Sequence, residues 1–368
     1  MKIGIMSMQD INNFGSLLQA YALKKILSEY GEVSFLPIRQ LEEDRLVQFE
    51  PVIHSKEFER SDGLVDKIRK IDRYVINRLK NREDIKRQDL LFEEFRQKYF
   101  KENTDHRIDV CVIGSDEVFN CLQASSWGYA SRLFGNVEEA DKVISYAASC
   151  GYTASEQCSE DLCLHIRKAM ANFTAISVRD SNSRLFVQKI TGKTAELHLD
   201  PVLIGDFSDE IESAQKELCL PEKYCIIYAY YNRFNSTEEI RAIREFCQER
   251  RYVPVTIGAP QAWVNGMLCL SPFQVLAAFS QADFVITDTF HGTIMAAKYC
   301  GKFAVCSRES NANKLIDLVR RLNIEDHLIR SWDQLNVRAE ADDSRRIVKQ
   351  ITDQERQKSK AYFDAVLK

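Results

Sequence analysis

FVITDTFHGTIMAAKYCGKF, residues 284–303, holds a strand, a polar joint and a helix in one short run. Phe284, Val285 and Ile286 are a β-branched and aromatic stretch bounded by polar residues, whereas Ile294, Met295, Ala296, Ala297 and Tyr299 carry the pattern of a helix. Asp288, Thr289, His291, Gly292 and Thr293 fall between the two. In open α/β sheets, ligands bind outside the carboxyl ends of the strands, and a helix N-terminus favours negative charge. A phosphate or a carboxylate is therefore the ligand expected at this joint.

The same pattern recurs along the chain. Residues 2–6 make a short strand, and a loop at Gln9–Phe14 leads into a helix over Ser16–Tyr30 with Leu17, Ala20, Leu23 and Leu27 on one face. Gly31 ends that helix, and Val33–Ile38 is a second strand. Asp109–Ile113 is a buried strand running into Gly114-Ser115-Asp116, and Val143–Ser149 and Ala175–Asp180 repeat the strand-to-polar-loop pattern. A second series starts near Lys223, with strands at Tyr224–Tyr231, Val253–Ile257, Phe284–Ile286 and Phe303–Cys306 separated by helices. Strands alternating with helices predict an α/β protein, and the length of 368 residues predicts two domains. The expected division is an N-terminal Rossmann-like domain at 1–215, a C-terminal one at 216–338, and a final helix at 339–368 that packs back on the first. Two such domains facing each other would leave a cleft, a favoured place for a ligand.

Between about Leu41 and Arg107 the first domain carries a charged helical insertion, with Leu64, Ile68, Ile71, Val75 and Leu79 at helical spacing. It reads either as a solvated insertion whose apolar stripe packs on the sheet or as a platform for a membrane surface or lipid-linked substrate. The first of these is the commoner use of such a pattern.

Composition narrows the classes. The chain is 45% hydrophobic and 28% charged, with 14 Gly and 7 Pro, as in ordinary globular proteins. A net charge of -4 gives no electrostatic case for nucleic acid. No apolar run is long enough to span a bilayer, and MKIGIMSMQD lacks the apolar core of a signal peptide, so a cytoplasmic protein is expected, with the inner membrane face as its alternative station. No feature commits the chain to an oligomer. The 11 cysteines form no CxxC pair, and several sit in apolar runs such as those around Cys111 and Cys225, which reads as buried free thiols. Cys158, Cys163 and His165 offer metal-binding groups at poor spacing, so no metal is expected.

Five motifs occur in a fixed order: Asn13-Phe-Gly15-Ser16-Leu-Leu-Gln19, Gly114-Ser115-Asp116, Ser177-Val-Arg179-Asp180, Asp200-Pro201 and Thr287-Asp288-Thr289-Phe290-His291-Gly292-Thr293. Together they resemble the polysaccharide pyruvyl transferase family, over about residues 3–330. The resemblance implies a GT-B-like architecture of two Rossmann-like domains. It also implies transfer of the pyruvyl unit of phosphoenolpyruvate to two hydroxyls of a sugar, as a cyclic ketal, in capsule, exopolysaccharide or cell-wall glycan synthesis. Phosphoenolpyruvate is then the donor substrate, no cofactor is needed, and the acceptor is a sugar or a lipid-linked glycan. Some members carry Arg two residues before the motif histidine. This chain has Thr289 there, and Arg308, with Lys314 behind it, is the replacement expected from its place after the next strand.

The chemistry assigns roles on that basis. His291 would protonate the methylene carbon, and Asp116 would take the proton of the attacking hydroxyl. Arg179, Arg308 and the backbone N–H groups of Gly292 and Thr293 would hold the donor's anionic groups, with Asn13, Ser16 and Ser115 on the acceptor. Each assignment has a structural alternative: Asp116 as a helix cap, Arg179 in a surface pair with Asp180, Asn13 as a turn residue, Asp200-Pro201 as a turn. Two other functions stand beside the transferase: a GT-B glycosyltransferase with a nucleotide-sugar donor, and a non-catalytic glycan-binding member of an assembly complex.

Overall fold

The computed structural model describes residues 1–47, 79–123, 129–231, 233–308 and 311–368. Its strands build two five-stranded parallel sheets, and the chain divides into two compact units, one around each sheet.

In the first unit, β1 (Lys2–Met6) is central and α1 (Phe14–Leu27) leads to β2 (Glu32–Phe35) on one side of it. β3 (Ile108–Ile113), β4 (Ala140–Ser145) and β5 (Phe173–Ala175) follow on the other side, giving the order β2-β1-β3-β4-β5. Ile3 pairs with Val110 and Ile5 with Val112, and these strands are buried almost throughout because helices cover both faces. The sheet order turns back between β1 and β3, so the loops after those strands part and leave a crevice at their carboxyl ends. Gly31 lies just past α1 with a negative φ, and a Cβ there would come within 2.1 Å of the Met1 carbonyl oxygen, so close approach explains this glycine.

The stretch that reads as one strand at Ala175–Val178 is two. β5 pairs with β4, then the chain shifts at Ile176 and β6 (Ser177–Val178) pairs with β7 (Glu196–Leu197). α3 (Glu160–Met170) precedes β5, α4 (Ser181–Thr191) follows β6, and the short α5 (Pro201–Ile204) begins at Pro201. Among the described residues of the chain's first half, the remaining α-helix is α2 (Arg82–Tyr99).

The second unit repeats the plan. β8 (Tyr224–Tyr228) is flanked by β9 (Val253–Thr256) on one side and by β10 (Phe284–Thr287), β11 (Phe303–Cys306) and β12 (Leu328–Ile329) on the other. Its helices include α6 (Ser208–Gln215), α7 (Thr237–Arg250), α8 (Pro272–Gln281) and α9 (Phe290–Met295), which continues as a π turn over Ala296–Cys300. After it come α10 (Ala312–Arg321) and α11 (Gln334–Glu340).

The grouping differs from the sequence boundaries at three places, the last being residues 339–350, which join the second unit. Residues up to Phe95 of α2 belong with the second unit, where the Gln88 side chain donates to the Leu270 carbonyl at 2.9 Å and accepts from the Leu270 N–H at 3.1 Å. Residues from Phe207 also join it, because α6 packs on α8. The Leu64–Val75 stripe lies outside the described residues, and Leu79 is 67% exposed. In α12 (Arg345–Leu367), the part from Ile351 belongs with the first unit. There Tyr362 Oη donates to the Ser145 carbonyl at 2.8 Å, Arg356 Nε to Ile204 at 2.8 Å, and Phe363 is fully buried. Among the described residues no helix is long and apolar enough to cross a membrane.

Candidate functional site

Each unit gathers charged side chains on the loops that follow its strands.

In the first unit the centre is Arg179, which follows β6 and has only 2% of its side chain exposed. Three carboxylates surround it: Asp200 Oδ2 at 3.1 Å, Asp116 Oδ1 at 3.4 Å and Asp180 Oδ2 at 4.0 Å. Burial works against its charge, but Asp116, Asp200, Asp180 and Glu117 together hold the guanidinium above its usual pKa. Asp116 sits on the loop after β3 with φ of 73°, and its other oxygen accepts from Ser16 Oγ at 2.6 Å. Its side chain is 13% exposed, the most of the four. A layer of neutral groups lies beneath. Gln19 accepts from the Ser115 N–H at 3.1 Å and donates to Ser7 Oγ at 2.6 Å, and Ser7 Oγ donates to the Ser115 carbonyl at 3.2 Å.

In the second unit the centre has the opposite sign. Asp288 follows β10 and is fully buried. Arg233, on the loop after β8, places Nε 2.9 Å from Asp288 Oδ2, and Arg308, after β11, places Nε 3.7 Å from the same oxygen. Burial pushes the Asp288 carboxyl up from its ordinary value against the pull of both arginines. Arg308 also donates to Glu239 Oε1 at 2.5 Å and lies over the Phe234 ring at 5.4 Å. Glu239 is itself fixed, because its other oxygen accepts from the Ser236 N–H at 3.0 Å in the capping box that starts α7. The Arg233 loop is anchored by Gln261, which accepts from the Phe234 N–H at 3.2 Å and donates to the Tyr230 carbonyl at 3.0 Å. Asn311 closes the set, donating to the Asp288 carbonyl at 2.5 Å and accepting from the Arg308 N–H at 3.0 Å.

His291, half-buried, is the second residue of α9, which leaves the same strand end as Asp288. Gly292 is required by space: a Cβ there would meet Thr287 Oγ1 at 2.1 Å and Tyr228 Cδ1 at 2.7 Å.

Several sequence assignments change. The N–H of Gly292 donates to Thr289 Oγ1 at 2.9 Å and that of Thr293 to the Thr289 carbonyl at 3.0 Å, so these two groups close the first turn of α9 instead of meeting an anion. Thr289 stands where the family arginine was expected because it caps this helix. Ser115 is fully buried and donates to the Ala147 carbonyl at 3.0 Å and to Asp200 at 3.3 Å, so it braces the loop and does not reach an acceptor. Ser16 is spent on Asp116, and Asn13 caps α1 by accepting from the Gly15 N–H at 2.8 Å. Arg179 is not in a surface pair: it is buried in the first unit, among carboxylates that discourage an anionic donor. No helix follows Asp116 among the described residues up to Gln123, so capping does not account for it. Asp200 does cap, accepting from the Val202 N–H at 3.0 Å with Pro201 in the first turn. His165 turns to the Asp161 carbonyl at 2.9 Å, and no group of three metal-binding side chains gathers among the described residues.

Sequence reasoning missed Arg233. It is 55 residues from Asp288, and its one signal was its place after the first strand of the second series, at the sheet edge that carries Asp288.

The family model for polysaccharide pyruvyl transferases matches residues 13–310. No curated protein matches the chain. Among solved structures, a UDP-GlcNAc 2-epimerase from Methanocaldococcus jannaschii in complex with UDP-GlcNAc and UDP is 10% identical, with 96% of this chain and 99% of that chain covered and a TM-score of 0.47. An α-glucosyltransferase in complex with UDP-glucose and DNA containing an abasic site is 10% identical, covering 98% and 94%, with a TM-score of 0.45. An O-GlcNAc transferase mutant from Thermobaculum terrenum is 12% identical, covering 100% and 67%, with a TM-score of 0.45.

Proposed function

The chain belongs to the polysaccharide pyruvyl transferase family, and on that premise we propose that it moves the pyruvyl unit of phosphoenolpyruvate onto two hydroxyls of a sugar, forming a ketal on a glycan precursor and releasing phosphate. The observation that supports the donor is the pair of guanidiniums, Arg233 and Arg308, drawn to one buried carboxylate at the edge from which the His291 helix departs. A guanidinium presents its donors in a rigid plane, so an Nε edge turned to Asp288 fixes how the rest of each fork is presented. Phosphoenolpyruvate carries a phosphate and a carboxylate, groups that such forks bind in bidentate fashion.

His291 gives a proton to the methylene carbon, and the second carbon becomes oxocarbenium-like, with the arginines balancing the anionic groups around it. Asp116, the most exposed of its cluster, is assigned the proton of the attacking hydroxyl, with Ser16 and Arg179 holding its carboxylate in place. The second hydroxyl then closes the ketal as phosphate leaves.

Thermal melting with phosphoenolpyruvate or with nucleotide sugars tests the donor, since a ligand of the folded state raises its melting temperature. Phosphoenolpyruvate is expected to stabilise the protein. Arg233→Gln and Arg308→Gln should each weaken its binding about 10–100-fold, the worth of one charge-assisted hydrogen bond. His291→Gln should keep binding but release no phosphate in the presence of acceptor sugars. Stabilisation by a nucleotide sugar and not by phosphoenolpyruvate would overturn the proposal.

A further inference from the structure

The first unit holds a second group of reactive side chains that the transfer does not use. Cys121 follows the Asp116 loop, and Cys158 closes the 3-10 turn Ser155–Gln157 just before α3. They are 37 residues apart in the chain, yet their sulfurs lie 3.6 Å from each other. The two thiols differ in surroundings. Cys121 is 3% exposed, whereas Cys158 is half-buried and within reach of a small solute. Cys163, in the first turn of α3, has its sulfur 4.0 Å from the Ser155 carbonyl.

We propose that Cys121 and Cys158 are an oxidation site of this protein, closing to a disulfide with hydrogen peroxide as the oxidant. The sulfurs are already in van der Waals contact, and closure brings them about 1.5 Å closer. The pair is also polarised as such chemistry requires. The two thiols share a hydrogen bond in which either sulfur can donate, and that contact lowers the Cys158 pKa from its usual value despite partial burial, while the same contact together with burial raises that of Cys121. Cys158 is thus the attacking thiolate and Cys121 the resolving thiol.

The steps balance. The Cys158 sulfur attacks one peroxide oxygen, the O–O bond breaks, and hydroxide leaves and takes a proton to become water. The resulting sulfenic acid is attacked by the Cys121 sulfur: the S–S bond forms, the S–O bond breaks, and the oxygen leaves as a second water with the proton of the Cys121 thiol. Two thiols lose two electrons, and one peroxide gains them. The bond would tie the loop after β3, which carries Asp116, to the segment that enters α3.

The test is peptide mapping of the full-length protein. Cys219 is exposed and would join molecules to one another, so the background is Cys219→Ser. After brief peroxide treatment, remaining thiols are alkylated in denaturant and the protein is digested without reductant. A Cys121–Cys158 linked peptide should appear while alkylation of both residues falls together about tenfold, and dithiothreitol should restore it. Cys163→Ser should leave the link intact. Cys121→Ser should abolish it and leave Cys158 as sulfenic or sulfinic acid; because Cys121 is buried, the linked peptide in the parent protein is the deciding readout if that variant folds poorly. A Cys158–Cys163 link, or undiminished alkylation of Cys121 while Cys158 oxidises, would overturn the proposal.

Discussion

Arg179, which follows β6, and Asp288, which follows β10, are each the buried centre of a charged cluster and have opposite surroundings. Both sheets have the same order, with the first strand central, the second strand on one side and the rest on the other. In the first unit the loop after β3 brings Asp116 to Arg179, which follows β6, and in the second the loops after β8, β10 and β11 bring Arg233, Asp288 and Arg308 together. In the first unit one guanidinium is ringed by three carboxylates; in the second, one carboxylate is approached by two guanidiniums, with Glu239 behind. The particular side chains therefore determine the sign of each cluster. The negative surplus around Arg179 suits a proton-accepting carboxylate, and the arginine pair around Asp288 suits an anion.

The strongest challenge to this contrast is removal of the first centre. Arg179→Leu would leave three neighbouring carboxylates without their counter-ion and should cost about 3–5 kcal/mol in urea unfolding, as breaking a buried ion pair does. A loss below about 1 kcal/mol would mean that the cluster is wetter and less coupled than its burial implies. The next effect concerns the joint that carries the second centre. Gly292→Ala forces a methyl against Thr287, Thr289 and Tyr228 and should cost about 1–3 kcal/mol in stability, with weaker phosphoenolpyruvate binding as α9 is displaced.

The smallest effect is the most discriminating. Burial raises the Asp288 carboxyl above its unfolded value, so its contribution to stability is present below the unfolded pKa and is lost as pH rises through the folded one. Asp288→Asn removes that titration. The variant should therefore gain on the parent protein as unfolding is measured at rising pH from acid toward neutrality, and it should bind phosphoenolpyruvate more weakly because Arg233 and Arg308 lose the charge that orients them. A difference between the two proteins that did not change with pH would show that the arginines fully compensate the buried carboxylate.

Much of the architecture was legible. Ile108–Ile113 and Phe284–Thr287 announce themselves as buried strands because helices cover both faces of a parallel sheet and its strands become continuous apolar runs. Asp180, Ser159, Ser236 and Ser271 stand where helices begin because a short oxygen-bearing side chain satisfies the first free N–H groups. The break at Ile176 was not legible, since residues 175–178 are uniformly strand-like and only their different partners, β4 and β7, separate them. The same limit hid the roles of Ser115, Gly292 and Thr293, whose donors are spent within the fold.

By itself, then, the sequence determined the alternation of strand and helix, the two-part α/β organisation and the family, because hydrophobic period, capping chemistry and motif order are local properties of the chain. Only the tertiary structure decided that Arg179 belongs to Asp116 and Asp200, that Arg233 reaches Asp288, and that two distant cysteines touch. Those pairings follow from packing: removing charged and polar groups from water obliges each to find a partner, and the partner is whichever group the fold brings near.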